Sequence, residues 1–244
     1  MSINQLDQFM QLLIHSKSTV VITGAGISTA CGYPDLDKMN EITIKHTQNK
    51  QPLMQILTNR FAQQNPTDFY RLYRLTHFRP EVLPSASHQI LTELEKRKLI
   101  TGIITFNLDY LHTLAGAKRV IEYWGSINDN YCIAHHHRFD LNYIQDNTVP
   151  YCPIDNSLIL PIFVMRNMVA LKAAVTAGRQ LIKQADLLIV MGTKLHHGLI
   201  PNQAKLIVIN DEPIKVPQAV NLFIQNKLDP VLEELLFRLK MKGW

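Results

Sequence analysis

Asn107 and Asp109 stand directly behind the apolar run Ile100–Thr105, pairing an amide with a carboxylate two positions apart. Such a pair suits a ribose hydroxyl, an ordered water or a carboxamide; Asn and Asp at that place also cap a following helix. Upstream, Thr19–Thr23 runs into Gly24-Ala25-Gly26-Ile27-Ser28. Missing Cβ atoms let a backbone approach a pyrophosphate, and amides at a helix start favour anions. The same turn also serves as a purely structural connection. Gly192 and Thr193 follow Leu187–Met191, and Asn210 follows Leu206–Ile209. Two more segments have metal-ligand spacing, Cys132-Ile-Ala-His135 and Cys152-Pro-Ile-Asp155. Zinc accepts thiolate, imidazole and carboxylate in tetrahedral geometry, with His136 and His137 as alternative donors. Without a metal, these are ordinary thiols beside surface polar groups.

Other reactive side chains read more plainly. Cys31 follows the glycine turn near a helix start, where a thiol pKa can fall, but a small packing residue fits there too. His88 reads as a helix-start packing residue, and His196 and His197 as members of a solvated loop within reach of substrate. A hydride-transferring dinucleotide site is disfavoured. Thr29 occupies the place of the third small residue in G-x-G-x-x-G, and Glu41–Lys50 contains no strand ending in an acid.

The elements that must position these residues follow from the apolar runs. Thr19–Thr23, Ile100–Thr105, Val120–Tyr123, Leu187–Met191 and Leu206–Ile209 are continuous rather than alternating, as in strands buried on both faces. Helical patterns lie between and beyond them at Gln5–His15, Ser87–Arg97, Lys172–Gln184 and Pro230–Leu239, with Leu6, Phe9, Met10 and Leu13 forming one apolar stripe. Strands alternating with helices predict an α/β fold, a Rossmann-like doubly wound parallel sheet whose ligands bind at the strand carboxyl ends. Residues 36–85 form a helical insertion, and residues 126–165 a small, zinc-ribbon-like module. The nucleotide-binding domain is assembled from residues 1–35, 86–125 and 166–244.

The chain has 244 residues, 46% apolar and 18% charged, with 10 Gly and 12 Pro, a composition that excludes disorder and collagen-like repetition. No run approaches the ~20 apolar residues of a membrane span, and the N-terminus lacks the pattern of an export signal. Three cysteines cannot make a disulfide framework, so the cytoplasm is the expected compartment. The net charge is +5, with cations scattered except at Lys96–Lys98 and Arg238–Lys242, a distribution that disfavours a nucleic-acid partner.

Taken in chain order, the segments resemble the sirtuin family. Gly24-Ala-Gly-Ile-Ser28 and Gly32-Tyr-Pro34-Asp35 are similar to its Gly-Ala-Gly-Ile-Ser and Gly-Ile-Pro-Asp-Phe-Arg signature. Ser85–His88 and Thr105-Phe-Asn107-Leu-Asp109-Tyr-Leu-His112…Ala115-Gly116 resemble its Thr-Gln-Asn-Ile-Asp-x-Leu-His block. Glu122-Tyr-Trp124-Gly-Ser126 resembles its Glu-Leu-His-Gly-Ser segment, and Gly192-Thr193-Lys-Leu195, Pro201 and Ile209-Asn210 resemble its closing elements. The resemblance implies NAD⁺ as cofactor, held by Gly24, Ala25, Gly26, Ser28, Pro34, Asp35, Asn107, Asp109, Gly192, Thr193 and Asn210. It implies zinc on Cys132, His135, Cys152 and Asp155, and a protein substrate carrying acyl-lysine, whose oxygen attacks the nicotinamide ribose. Asn107 and Asp109 would then be catalytic.

The departures are equally specific. Trp124 occupies the place of the family's general-base histidine, and indole has a donor but no basic nitrogen. Phe106 replaces a glutamine that touches the ribose, Leu36 and Asp37 replace the Phe-Arg pair, Met165-Arg166-Asn167 replaces a Phe-Gly-Glu peptide edge, and Lys194 replaces a serine. Lys38 or Arg166 is expected to stand in for the missing arginine charge. Deacylase activity should therefore be weak. Loss of the glutamine and histidine also resembles a diverged branch of protein ADP-ribosyltransferases found beside lipoyl-carrier and macrodomain proteins. A third alternative is a catalytically dead protein that binds NAD⁺ or ADP-ribose.

Overall fold

The computed structural model describes residues 3–47, 50–195, 203–216 and 219–244. Its frame is a parallel sheet of β1 (Thr19–Thr23), β2 (Gly102–Thr105), β3 (Val120–Glu122), β7 (Leu187–Met191), β8 (Lys205–Asn210) and β9 (Leu222–Gln225). The spatial order is β3-β2-β1-β7-β8-β9. Every residue of β1, β2 and β7 is buried, which is why those strands read as unbroken apolar runs. Alternate residues serve opposite faces. Val21, Ile103, Ile189 and Ile207 meet the apolar stripes of α1 (Ile3–Ile14), α7 (Ala86–Lys96) and α12 (Leu228–Met241). Val20, Ile22, Ile104, Leu188 and Val190 face Leu181 and Ile182 of α11 (Lys172–Gln184).

After β1 the chain builds outward through β2 to β3, then returns to build β7, β8 and β9 on the other side. The direction reverses between β1 and β7, the switch point where open α/β sheets bind ligands. The pairing also levels the strand ends. Thr23 is in register with Thr105 and Met191, Thr105 with Glu122, and Met191 with Ile209. Gly24, Phe106, Tyr123 and Gly192 therefore leave the sheet side by side, with Asn210 still the last residue of β8 beside them.

The inserted segments pack together. Between β1 and β2 lie the short α2 (Gly26–Thr29), then α3 (Leu36–His46), α4 (Leu53–Ile56), α5 (Asn59–Gln64) and α6 (Pro66–Thr76). After β2 comes α8 (Leu111–Leu114). Beyond β3, a second sheet of order β5-β4-β6 comprises β4 (Asn130–Cys132), β5 (Arg138–Phe139) and β6 (Ile159–Pro161), accompanied by α9 (Leu141–Asp146) and α10 (Ile162–Met165). One apolar cluster joins Phe69, Tyr70 and Tyr73 of α6 to Ile144, Ile159 and Phe163. Tyr70 donates to Ile159 O at 2.5 Å, and Arg74 donates to Ile144 O and Asn147 O at 2.8 and 2.5 Å. These contacts cross some 70 to 90 positions of sequence, so local pattern gave no hint of them.

His77, in this second core, is fully buried, and burial lowers its pKa to about 4. His88 behaves likewise, also at about 4, and burial depresses its neighbour His112 well below the usual value. Unfolding returns all three to about 6.5. A depressed folded pKa contributes stability above pH 6.5 that is lost as pH falls toward 4. Glu122 and Asp109, both raised by burial, act in the opposite sense. Three imidazoles outweigh two carboxyls, so below pH 6.5 the unfolded chain binds more protons and stability falls as pH falls. Thermal melts by circular dichroism from pH 8 to 5 should show Tm falling; a flat profile would contradict the buried neutral histidines.

Candidate functional site

The turns after β1 and β7 interlock through backbone. Gly26 N donates to Gly192 O at 2.8 Å and Gly24 N to Met191 O at 3.3 Å. A Cβ on Gly26 would lie 2.7 Å from Gly192 Cα, and one on Gly24 would lie 2.6 Å from Thr193 Cβ. Gly192 itself has φ +61°. The glycines are thus required first by the packing of two turns. Their own amides are engaged there. Ala25 N, by contrast, donates to no backbone oxygen among the described residues.

Beside these turns, Ser28 Oγ donates to Asp109 Oδ2 at 2.6 Å, and Asn107 Nδ2 donates to Gly24 O and Ser28 Oγ at 3.1 and 3.0 Å. Asp109 Oδ1 accepts from Leu111 N at 3.0 Å, so the residue serves the start of α8 as well as the cluster. All three side chains are buried. Burial raises the Asp109 carboxyl pKa, opposed by the bonds from Ser28, Leu111 and Asn107. Behind them, Thr23 Oγ1 lies 2.9 Å from His112 Nε2, and the His112 ring packs 4.7 Å from that of His88. His88 Nδ1 accepts from Ser85 N at 3.3 Å, the helix-start role expected of it.

β3 ends at Glu122, whose pKa is raised to about 7 by burial and by the nearby Asp129. The sequence reading gave no role to this carboxyl, although its position behind a strand followed by a Gly-Ser turn was visible. Gly125, at φ +81°, tightens the turn; a Cβ there would sit 2.3 Å from Ile162 Cγ2. Trp124 is half-buried between the two apolar cores. Phe106 packs edge-on to Tyr123, ring centroids 5.3 Å apart, on the cluster that also takes Trp124.

Several expected residues are used otherwise. Exposed Asp35 caps α3, accepting from Lys38 N at 2.8 Å, and Asp37 lies in the first helical turn, where an acid complements the dipole. Pro34 is half-buried just ahead of that cap. Neither proposed substitute for the family arginine is free. Lys38 pairs with Glu41 at 3.0 Å, and Arg166 donates to Val169 O and Ala170 O. Cys31 donates to Ser28 O at 3.2 Å, and burial raises its thiol pKa, so it is a packing residue. Asn167 Oδ1 accepts from Asn59 N at 2.8 Å, tying the Met165–Asn167 edge to α5. Asn210, at the end of β8, donates to Glu212 O at 2.9 Å. His196, His197 and Pro201 lie outside the described residues.

In the small sheet, Cys132, His137, Cys152 and Asp155 bring one donor atom each within 4.8 Å of one another. His137 Nδ1 is 3.5 Å from Cys132 Sγ and 3.4 Å from Cys152 Sγ; Asp155 Oδ2 is 3.3 Å from Cys132 Sγ. Donors at 2.0–2.3 Å from a shared zinc stand about 3.3–3.8 Å apart at tetrahedral angles, so this set fits the ion. His135, expected among the ligands, is not one of these four. Its Nδ1 lies 2.8 Å from Asp155 Oδ2. Bonds from Ser157 and His135 hold the Asp155 carboxyl far below the usual range.

A doubly wound sheet with glycine turns at its switch point, a buried Ser-Asn-Asp cluster beside them and a small metal-type module defines a nucleotide-binding α/β protein. The Sir2 family model matches residues 24–197, and the chain belongs to that family. It is 30% identical to an NAD-dependent protein deacetylase of Clostridium acetobutylicum over 96% of this chain and 99% of that one. It is 34% identical to one of Thermotoga maritima over 78% and 77%. Among solved structures, one addressing the structural basis of sirtuin substrate affinity superposes with a TM-score of 0.85 at 29% identity, covering 98% and 99% of the two chains. A Sir2–p53 peptide–NAD⁺ complex superposes at 0.79 and 26% identity, covering 97% and 99%.

Proposed function

We propose that the chain is an NAD⁺-dependent protein-modifying transferase whose lysine-deacylase activity is weak. The observation that carries this reading is Trp124, which fills the end of β3 beside a complete Ser28–Asn107–Asp109 cluster. NAD⁺, when bound, supplies a ribose carbon that becomes electrophilic as nicotinamide leaves. Asn107, Ser28 and Asp109 form a preorganised polar group for that ribose, buried and already hydrogen-bonded, so little reorganisation accompanies reaction. Gly192, Thr193 and the Ala25 amide border the phosphate side, and Asn210 the adenine-side ribose. Indole at position 124 accepts no proton, and general-base assistance is typically worth about 10²–10⁴-fold. The same loss favours transfer of ADP-ribose to a protein acceptor, because the acceptor then brings its own nucleophile. We assign residues 1–35, 86–125 and 166–244 to the nucleotide domain. Residues 36–85 and 126–165 form the module, with zinc on Cys132, His137, Cys152 and Asp155. The compartment is the cytoplasm; no described helix is long and apolar enough to cross a membrane.

Nicotinamide release by the untagged protein tests this, measured with acetyl-lysine peptide, with candidate protein acceptors (a lipoyl carrier among them) and with buffer alone. Slow deacylation, or acceptor-dependent release with ADP-ribose retained on protein, is expected. Deacylation as fast as that of an active sirtuin assayed alongside overturns the weak-deacylase reading, and no release under any condition overturns the transferase.

A further inference from the structure

The metal-type site is made by two turns that are internal copies. In the first, Cys132 N donates to His137 O at 3.0 Å and His136 N to Cys132 O at 3.1 Å, with His136 at φ +58°. In the second, Cys152 N donates to Ser157 O at 2.8 Å and Asn156 N to Cys152 O at 2.8 Å, with Asn156 at φ +55°. His135 therefore corresponds to Asp155, and His137 to Ser157. Equivalent positions nevertheless do different things. Asp155 is largely enclosed, its side chain 11% exposed, and its Oδ2 lies among the other donor atoms, while His135 is 67% exposed.

Distance separates a ligand from a ligand's partner. His137 Nδ1 stands 3.5 Å from Asp155 Oδ2 and 3.4–3.5 Å from both sulfurs, the edge length of a tetrahedron around one ion. His135 Nδ1 stands 2.8 Å from the same oxygen, the length of a charge-assisted hydrogen bond and too short for a tetrahedral edge. Asp155 Oδ1 accepts from Ser157 N and Oγ at 2.9 and 2.6 Å, so both carboxylate oxygens are held.

We propose that His135 is a positioning residue that orients Asp155 as the oxygen donor of a Cys132–His137–Cys152–Asp155 centre. His137 takes the ligand place that Cys-x-x-His spacing gives to His135. This rests on the reading that the module holds zinc. Hydrogen-bond partners of metal ligands typically contribute 10–100-fold to metal affinity.

Zinc content, zinc affinity by competition with a chromophoric chelator, and the visible spectrum of the cobalt(II)-substituted protein test it. The wild type should carry one zinc. His135→Ala should carry one zinc bound about 10–100-fold more weakly, with cobalt bands unmoved because no ligand is lost. His135→Asn should recover affinity, since Asn Nδ2 sits where His Nδ1 does. His137→Ala should shift the bands and lose most zinc. Displaced bands in His135→Ala, unchanged affinity in that variant, or an unaffected His137→Ala overturns the assignment while leaving the zinc site standing. Wild-type zinc below about 0.2 equivalents removes the site itself.

Discussion

Trp124→His is expected to raise NAD⁺-dependent deacetylation of an acetyl-lysine peptide by about 10²–10⁴-fold over the wild type, the usual worth of a positioned general base. The backbone that would carry the imidazole is already fixed. Tyr123 N donates to Thr105 O at 3.2 Å, Gly125 N donates to Glu122 O at 3.2 Å, and no side chain larger than hydrogen fits at position 125. The new ring therefore arrives on a rigid turn rather than a loop. Trp124 is only half-buried, so the smaller ring leaves room for substrate more than it opens a core cavity. Steady-state rates across pH 6–9 check the outcome, and the gain should follow a group titrating near the ordinary histidine value of about 6.5. A variant no faster than the parent would mean that something other than the missing base limits deacylation, with Phe106 the first residue to exchange next.

The second large effect is a loss. Asp109→Asn keeps shape and burial but turns one of two carboxylate acceptors into a donor. Asp109 Oδ2 accepts from Ser28, and Oδ1 accepts from Leu111 N. The amide can keep the second bond and must reverse the first, so Ser28 Oγ, which already accepts from Asn107, loses the acceptor for its own proton. Removing one member of a preorganised polar site typically costs about 10²–10³ in turnover. Nicotinamide release should fall by that factor, while Tm changes little because burial already disfavours the charged form. Release within threefold of the wild type would place the chemistry away from this cluster.

The parts of the molecule legible in sequence share a physical cause. Strands buried on both faces must be apolar throughout, so β1, β2, β7 and β8 announce themselves, and the first polar residues after them mark the sheet edge. Asn107, Asp109, Gly24 and Gly192 were visible for that reason. What escaped depends on distance or on side-chain reach. β9 and the strands of the small sheet are short and, with exposed or half-exposed positions in β4, β5 and β9, mostly lack the fully buried apolar run that marks β1, β2 and β7. The common core of α6 and β6 is made by residues far apart in sequence. That His137 rather than His135 stands with Cys132, Cys152 and Asp155 depends on how the two turns meet in space, which a spacing rule does not contain. Asp35 also caps α3, a local role that a motif match does not reveal.

Titration calorimetry of the wild-type chain with NAD⁺ probes the crevice itself, independent of any acceptor or rate. One molecule should bind per chain with saturable heat and a dissociation constant below about 1 mM, equivalent to at least 4 kcal/mol. Silence at millimolar NAD⁺ from folded protein would mean that the turns after β1 and β7 meet only each other, and that no dinucleotide site survives between them.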